Sequence, residues 1–85
     1  DIAVEVVSPT DRAADIKAKV SLYLKAGTQL VWVIYPDEQS VVVHYPDNTA
    51  KTLTEADTLD GGTILPDFSV PVSTLFPPEL PDKDA

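Results

Sequence analysis

The sequence predicts an α/β fold: a strand–helix–strand unit continued by an antiparallel meander and closed by a short C-terminal helix. Three observations predict it. Two short runs, Ile2–Val7 and Leu30–Ile34, are almost wholly apolar, the pattern of strands covered on both faces. Between them, apolar residues recur at helical spacing. Beyond residue 35, short apolar stretches alternate with turns built from Pro, Asp, Asn and Gly.

Taken in order, Ile2–Val7 is apolar at five of six positions and contains three valines. Ser8-Pro9-Thr10-Asp11 breaks this strand and offers Ser8, Thr10 and Asp11 as helix N-caps. A helix of about 15 residues should follow, reaching Ala26, with Ala13, Ile16, Val20 and Leu24 as its core stripe. Gly27 suits the left-handed position that ends it, and Lys25 falls in its last turn. Leu30–Ile34 is the second strand, and so short a link implies a right-handed crossover and parallel pairing. Pro36–Ser40 is a turn, and Val41–Tyr45 returns antiparallel. Pro46–Thr49 turns again, before a short polar strand near Lys51–Leu53. Asp60-Gly61-Gly62 marks a further turn. Pro71 suits the first position of a short helix ending near Phe76, and residues 77–85 read as a disordered acidic tail.

Composition narrows the function. Eighty-five residues allow one small domain with a modest core. The absence of cysteine excludes disulfides, thiolate metal sites and a thiol nucleophile. No apolar run approaches the roughly 20 residues of a membrane-spanning helix. No basic segment precedes the first apolar one, so a signal peptide is not expected and a cytoplasmic location is. The first strand opens the chain without a turn or cap, which suggests a fragment of a larger domain. The net charge of −8 argues against the whole surface gripping nucleic acid. It is unevenly spread: residues 1–26 carry four acids and four bases, whereas residues 27–85 carry ten acids against Lys51 and Lys83. Any phosphate contact is therefore expected within the first 26 residues.

Glu5 is the most informative residue. It stands in a strand built to be buried, where an unpaired carboxylate costs several kcal/mol, roughly 2–7 for a polar group alone. A hydrogen-bonding neighbour, a lysine or a metal ion must offset that cost. Strand alternation puts Asp1, Ala3, Glu5 and Val7 on one face, with Asp1 and Glu5 about 13 Å apart, too far to share one ion directly. On the helix, Asp15, Lys19 and Tyr23 follow at i, i+4 and i+8, with Arg12 on the same stripe. That stripe borders the apolar one, so Lys19 could run along the core edge and deliver its amine to the sheet. An ordinary Asp15–Lys19 helix pair and plain core packing of Tyr23 explain the spacing equally well. His44 reads as a surface or hairpin histidine, Trp32 as core, and the acids at Asp37-Glu38, Asp57 and Asp60 as turn caps.

Together these segments resemble the Uma-two family of restriction endonucleases. The resemblance runs from Asp1-Ile2-Ala3-Val4-Glu5-Val6-Val7-Ser8-Pro9 through Asp15, Lys19 and Tyr23 to Ala26-Gly27 and Val31-Trp32-Val33-Ile34-Tyr35-Pro36. It resumes at Asp57–Gly62 and Leu65–Val72. It implies the PD-(D/E)XK nuclease superfamily and a restriction-endonuclease-like mixed sheet, of which residues 1–76 would form the C-terminal part. It also implies a divalent metal, usually magnesium, held by acidic residues beside a scissile DNA phosphate. Carried over, Glu5 would be a catalytic metal ligand, Asp1 a further metal ligand and Lys19 the catalytic lysine, with Asp15, Tyr23 and Ser8 supporting. In the superfamily pattern the lysine stands two residues after the acid, where this chain has Val7; the family supplies it from the following helix. Family members are longer, and their further acidic site residues come from upstream elements. The fragment is therefore expected to be inactive alone, and to self-associate as a homo-oligomer that buries its unpaired first strand or the apolar helix stripe against a copy. The alternative is a non-catalytic protein-binding or self-association module, which the acidic C-terminal portion would suit.

Overall fold

The computed structural model describes residues 2–76. In chain order the elements are β1 (Ile2–Val6), α1 (Ala13–Lys25), β2 (Leu30–Tyr35), β3 (Ser40–His44), β4 (Ala50–Leu53), β5 (Thr58–Gly61), β6 (Leu65–Pro71) and a 3-10 turn, Val72–Leu75. Strands β1 to β4 lie side by side in that order as one sheet, and β5 and β6 form a second, two-stranded one. β1 runs parallel to β2, with Glu5 opposite Val33. β2–β3 and β3–β4 are antiparallel. The expected strand–helix–strand unit and meander are both present.

The helix ends as its sequence demands. Gly27 adopts φ +96°, a conformation open to glycine at little steric cost. Its N–H bonds the Leu24 carbonyl at 3.1 Å, and the Thr28 N–H reaches back to the Tyr23 carbonyl at 3.0 Å. This pair of bonds is a Schellman motif. The start of the helix differs from expectation. It begins at Ala13, and the residue before it, Arg12, makes no side-chain cap. Asp11 is committed elsewhere: its carboxylate accepts the Ser8 N–H at 2.8 Å, tightening the exit from β1. The Ser8 and Thr10 hydroxyls meet each other at 3.2 Å. The helix is accordingly 13 residues long.

The main sheet is covered differently on its two faces. Toward α1, Val31 and Val33 pack with Ile16 and Val20, flanked by Ala3, Val7, Tyr23 and Leu24. Ala13, the expected first residue of that stripe, is exposed. On the opposite face, Leu30, Trp32, Val41, Val43 and Leu53 are buried beneath Leu59 and Val72. Trp32 lies tilted against Phe68, ring centroids 5.3 Å apart. This second cover reaches β1 only at Ile2. Val4 and Val6 are 50% and 58% exposed, which corrects the expectation of a first strand covered on both sides. β1 is also an edge strand among the described residues.

The β5–β6 hairpin was not anticipated beyond its turn. Its ladder pairs Asp60 with Ser69 and Gly61 with Leu65, and so skips Pro66-Asp67-Phe68. A proline has no N–H to give such a ladder, and the skipped segment is the one that lays Phe68 on Trp32. Gly61 is required there: a Cβ would run into the Leu65 carbonyl oxygen and Cβ. Asp60, Asp57 and Asp47 accept nearby backbone N–H groups at 2.8, 2.8 and 3.0 Å, the turn-capping role expected of the first two. The expected short terminal helix is a 3-10 helix, Val72–Leu75, and Pro71 stands just before it rather than at its first position, closing β6 in extended geometry (φ −61°, ψ 135°). Fully buried Val72 anchors that helix, and its N–H bonds the Asp57 carbonyl at 2.9 Å. Asp1 and the tail 77–85 lie outside the described residues. Among those described, no helix is long and apolar enough to cross a membrane.

Candidate active site

Glu5 points from β1 toward α1 because strand alternation places it with Ala3 and Val7 on the helix-facing side. Its side chain is 18% exposed. Two residues one helical turn apart close on it. The Tyr23 hydroxyl donates to Glu5 Oε1 at 2.8 Å, and Lys19 Nζ lies 3.6 Å from Oε2. The i, i+4 spacing stacks both on one helix face, and the Gly27 motif fixes that face against β2. The half-buried carboxylate is thus hydrogen-bonded on one oxygen and charge-paired on the other, the two kinds of partner its burial demands. The Tyr23 phenol is held above its usual pKa, first by its hydrogen bond to Glu5 and then by the negative charge of that residue.

The other expected members stand apart. Asp15 is exposed, and among the described residues Lys19 pairs with Glu5, not with Asp15. Ser8 is engaged with Asp11 and Thr10 in the loop. Asp11, outside the set that the sequence points to, lies within reach of the Lys19 charge. Its carboxyl is held below the usual range, first by the Ser8 backbone N–H and, more weakly, by the positive charge of Lys19. No pattern in the sequence distinguishes it from an N-cap, and its backward bond to Ser8 is set by the loop. Val7, which occupies the superfamily's lysine position, packs into the apolar cluster beneath α1.

A groove of 670 Å³ opens along another flank of α1, with Lys17, Ser21, Tyr35 and His44 in its wall. Glu5, Lys19 and Tyr23 do not line it, so their cluster and this groove are separate. His44 is half-buried, and burial holds its pKa below the ordinary histidine value.

Glu5 offers the hard oxygen donors that magnesium takes, so the donor type fits a divalent metal. Among the described residues no group of three or more His, Asp or Glu side chains could hold a metal ion. Among the described residues, Glu5 is the carboxylate that Tyr23 and Lys19 hold.

A family model described as "Putative restriction endonuclease" (Uma2) matches residues 1–73. Among solved structures, "a putative nuclease belonging to DUF820 from Anabaena variabilis" is similar, with TM-score 0.80 and 25% identity over 88% of this chain. The chain spans 42% of the length of that protein. No curated protein matches it.

Proposed function

The chain belongs to the Uma2 family, and from that premise we propose that it carries part of a metal-dependent site hydrolysing DNA phosphodiester bonds. The observation that carries the proposal is the Glu5 carboxylate held between Tyr23 and Lys19 at the helix–sheet boundary. Glu5 would hold the metal; Asp1, about 13 Å along an extended strand, is too far to share the same ion directly. A bound magnesium ion would neutralise charge on the phosphoryl oxygens and lower the pKa of a coordinated water. The chain's own groups supply the rest. Tyr23 orients the carboxylate through its hydroxyl. Lys19 places a positive charge beside the attacking water and the developing negative charge on the phosphate. Hydrolysis adds water across one P–O bond: the water oxygen joins phosphorus, the leaving oxygen takes a proton, and the strand ends as a phosphate and a hydroxyl. Asp15 and Ser8 support the helix and the loop around this pair.

A second reading is a non-catalytic protein-binding module. The acidity of residues 27–85 and the exposed Val4 and Val6 favour it.

Plasmid cleavage separates the two, in a protein joining these residues to the remainder of the family fold. Magnesium-dependent, EDTA-sensitive nicking is expected there. Lys19→Met should abolish it with little change in folding stability, because the ion pair it removes is half-exposed. Glu5→Gln should lose magnesium binding with the fold retained, because an amide is a poorer donor to a hard cation. Undiminished cleavage by both variants would leave the cluster structural and favour the binding module.

A further inference from the structure

We infer that Lys19 is a placeholder counter-ion: its amine occupies the approach to Glu5 Oε2 and yields it to a divalent cation, while Tyr23 keeps Oε1 fixed. The inference rests on the proposed role of Glu5 as a metal ligand.

The two oxygens of Glu5 are held unequally. Tyr23 makes a hydrogen bond of ordinary hydroxyl length, 2.8 Å, from a partly buried ring with few torsions to freeze. Lys19 stands off at 3.6 Å, beyond the roughly 2.7–2.9 Å of a charge-assisted hydrogen bond. Its contact is Coulombic. The lysine side chain is 50% exposed against 18% for the carboxylate. The amine therefore keeps much of its hydration and can swing on its flexible stem. The carboxylate, half-buried, cannot go unpartnered. A doubly charged ion attracts the same oxygen more strongly at equal distance, and a half-exposed ion pair is weak enough to be displaced. Since α1 anchors the lysine backbone, the displaced amine stays beside Glu5, free to face an anionic oxygen. One residue then serves two states of the site, neutralising the carboxylate in one and the phosphate in the other.

Manganese supplies the probe, because its paramagnetic relaxation of amide NMR signals detects weak binding to the 85-residue chain. Lys19→Met should raise the relaxation at the Glu5 amide by roughly two- to fivefold at fixed manganese, the range expected for removing a half-exposed competitor. Lys17→Met changes the net charge equally but removes a groove residue, and should leave the Glu5 signal unchanged. Asp47 and Asp60 serve as unaffected reference sites. Equal or weaker relaxation in Lys19→Met than in the wild type would overturn the placeholder while leaving Glu5 a ligand. No relaxation about Glu5 in any form would remove the ligand itself, and the inference with it. Should the variant fail to fold, magnesium titration of the wild type decides. The Lys19 Cε resonance should shift and that of Lys17 should not; an unmoved Lys19 resonance overturns the inference.

Discussion

The two faces of the main sheet are built for different ends. The face under the β5–β6 hairpin is apolar throughout: Leu30, Trp32, Val41, Val43 and Leu53 meet Leu59 and Val72. The face under α1 has a smaller apolar cluster, Ile16, Val20, Val31 and Val33, with a carboxylate, an amine and a phenol at its border. Burial of apolar area is the main source of stability in a domain this small, so the hairpin face carries more of it. The helix face gives up part of its apolar cover to hold charged groups at the solvent boundary. Stability and the proposed chemistry are therefore separable by mutation.

The largest effect is expected on the hairpin face. Trp32→Ala removes the side chain stacked on Phe68 and should cost about 3–5 kcal/mol, read by circular dichroism in a urea titration. A loss near the cost of a surface substitution would show that the hairpin is a loose cover. Tyr23→Phe probes the other face. It deletes one hydroxyl and leaves Glu5 Oε1 without its donor, for about 1 kcal/mol. The expected outcome is a small shift of the urea midpoint with an unchanged slope. If it matched Trp32→Ala, the two faces would be one cooperative unit and the separation would fail.

The smallest effect is a pH dependence on the helix side. Burial lowers the His44 pKa, so the unfolded chain binds the proton more readily than the folded one. Stability from this source is complete above the unfolded value near 6.5 and is lost as pH falls through the lowered folded value. Asp11 and Asp47 also titrate below their usual value, and their contributions are lost only at still lower pH. Thermal melts between pH 7 and 5 should therefore decline less steeply in His44→Gln than in the wild type. Parallel curves would place the pH sensitivity elsewhere.

The strand–helix–strand unit was legible because its signals are local: apolar runs, a 3.6-residue stripe and one glycine at a helix end. The β5–β6 hairpin was not, because Pro66-Asp67-Phe68 interrupts the alternation that marks a strand, and its cause is the distant contact with Trp32. The exposure of Val4 and Val6 was hidden for the same reason, since cover is a tertiary property. At the site, helical spacing brought Lys19 to the sheet edge but left its partner open between Asp15 and Glu5. Depth decides it: Glu5 is the carboxylate whose burial requires a charge, while exposed Asp15 is satisfied by water. None of the three N-cap candidates caps the helix, because Ser8, Thr10 and Asp11 satisfy one another before it begins.

The tight exit from α1 has a consequence for what changes the molecule can absorb. Only Thr28 and Gln29 separate Gly27 from β2, so the C-terminal end of the helix is tied to the sheet with almost no slack. Inserting one residue between Lys19 and Gly27 would rotate everything before it by about 100° and advance it about 1.5 Å. Lys19 would then point away from Glu5 even though no residue of the site had been altered. The helix is in effect a ruler read from its far end, and the cluster should withstand many substitutions along α1 but no change in its length.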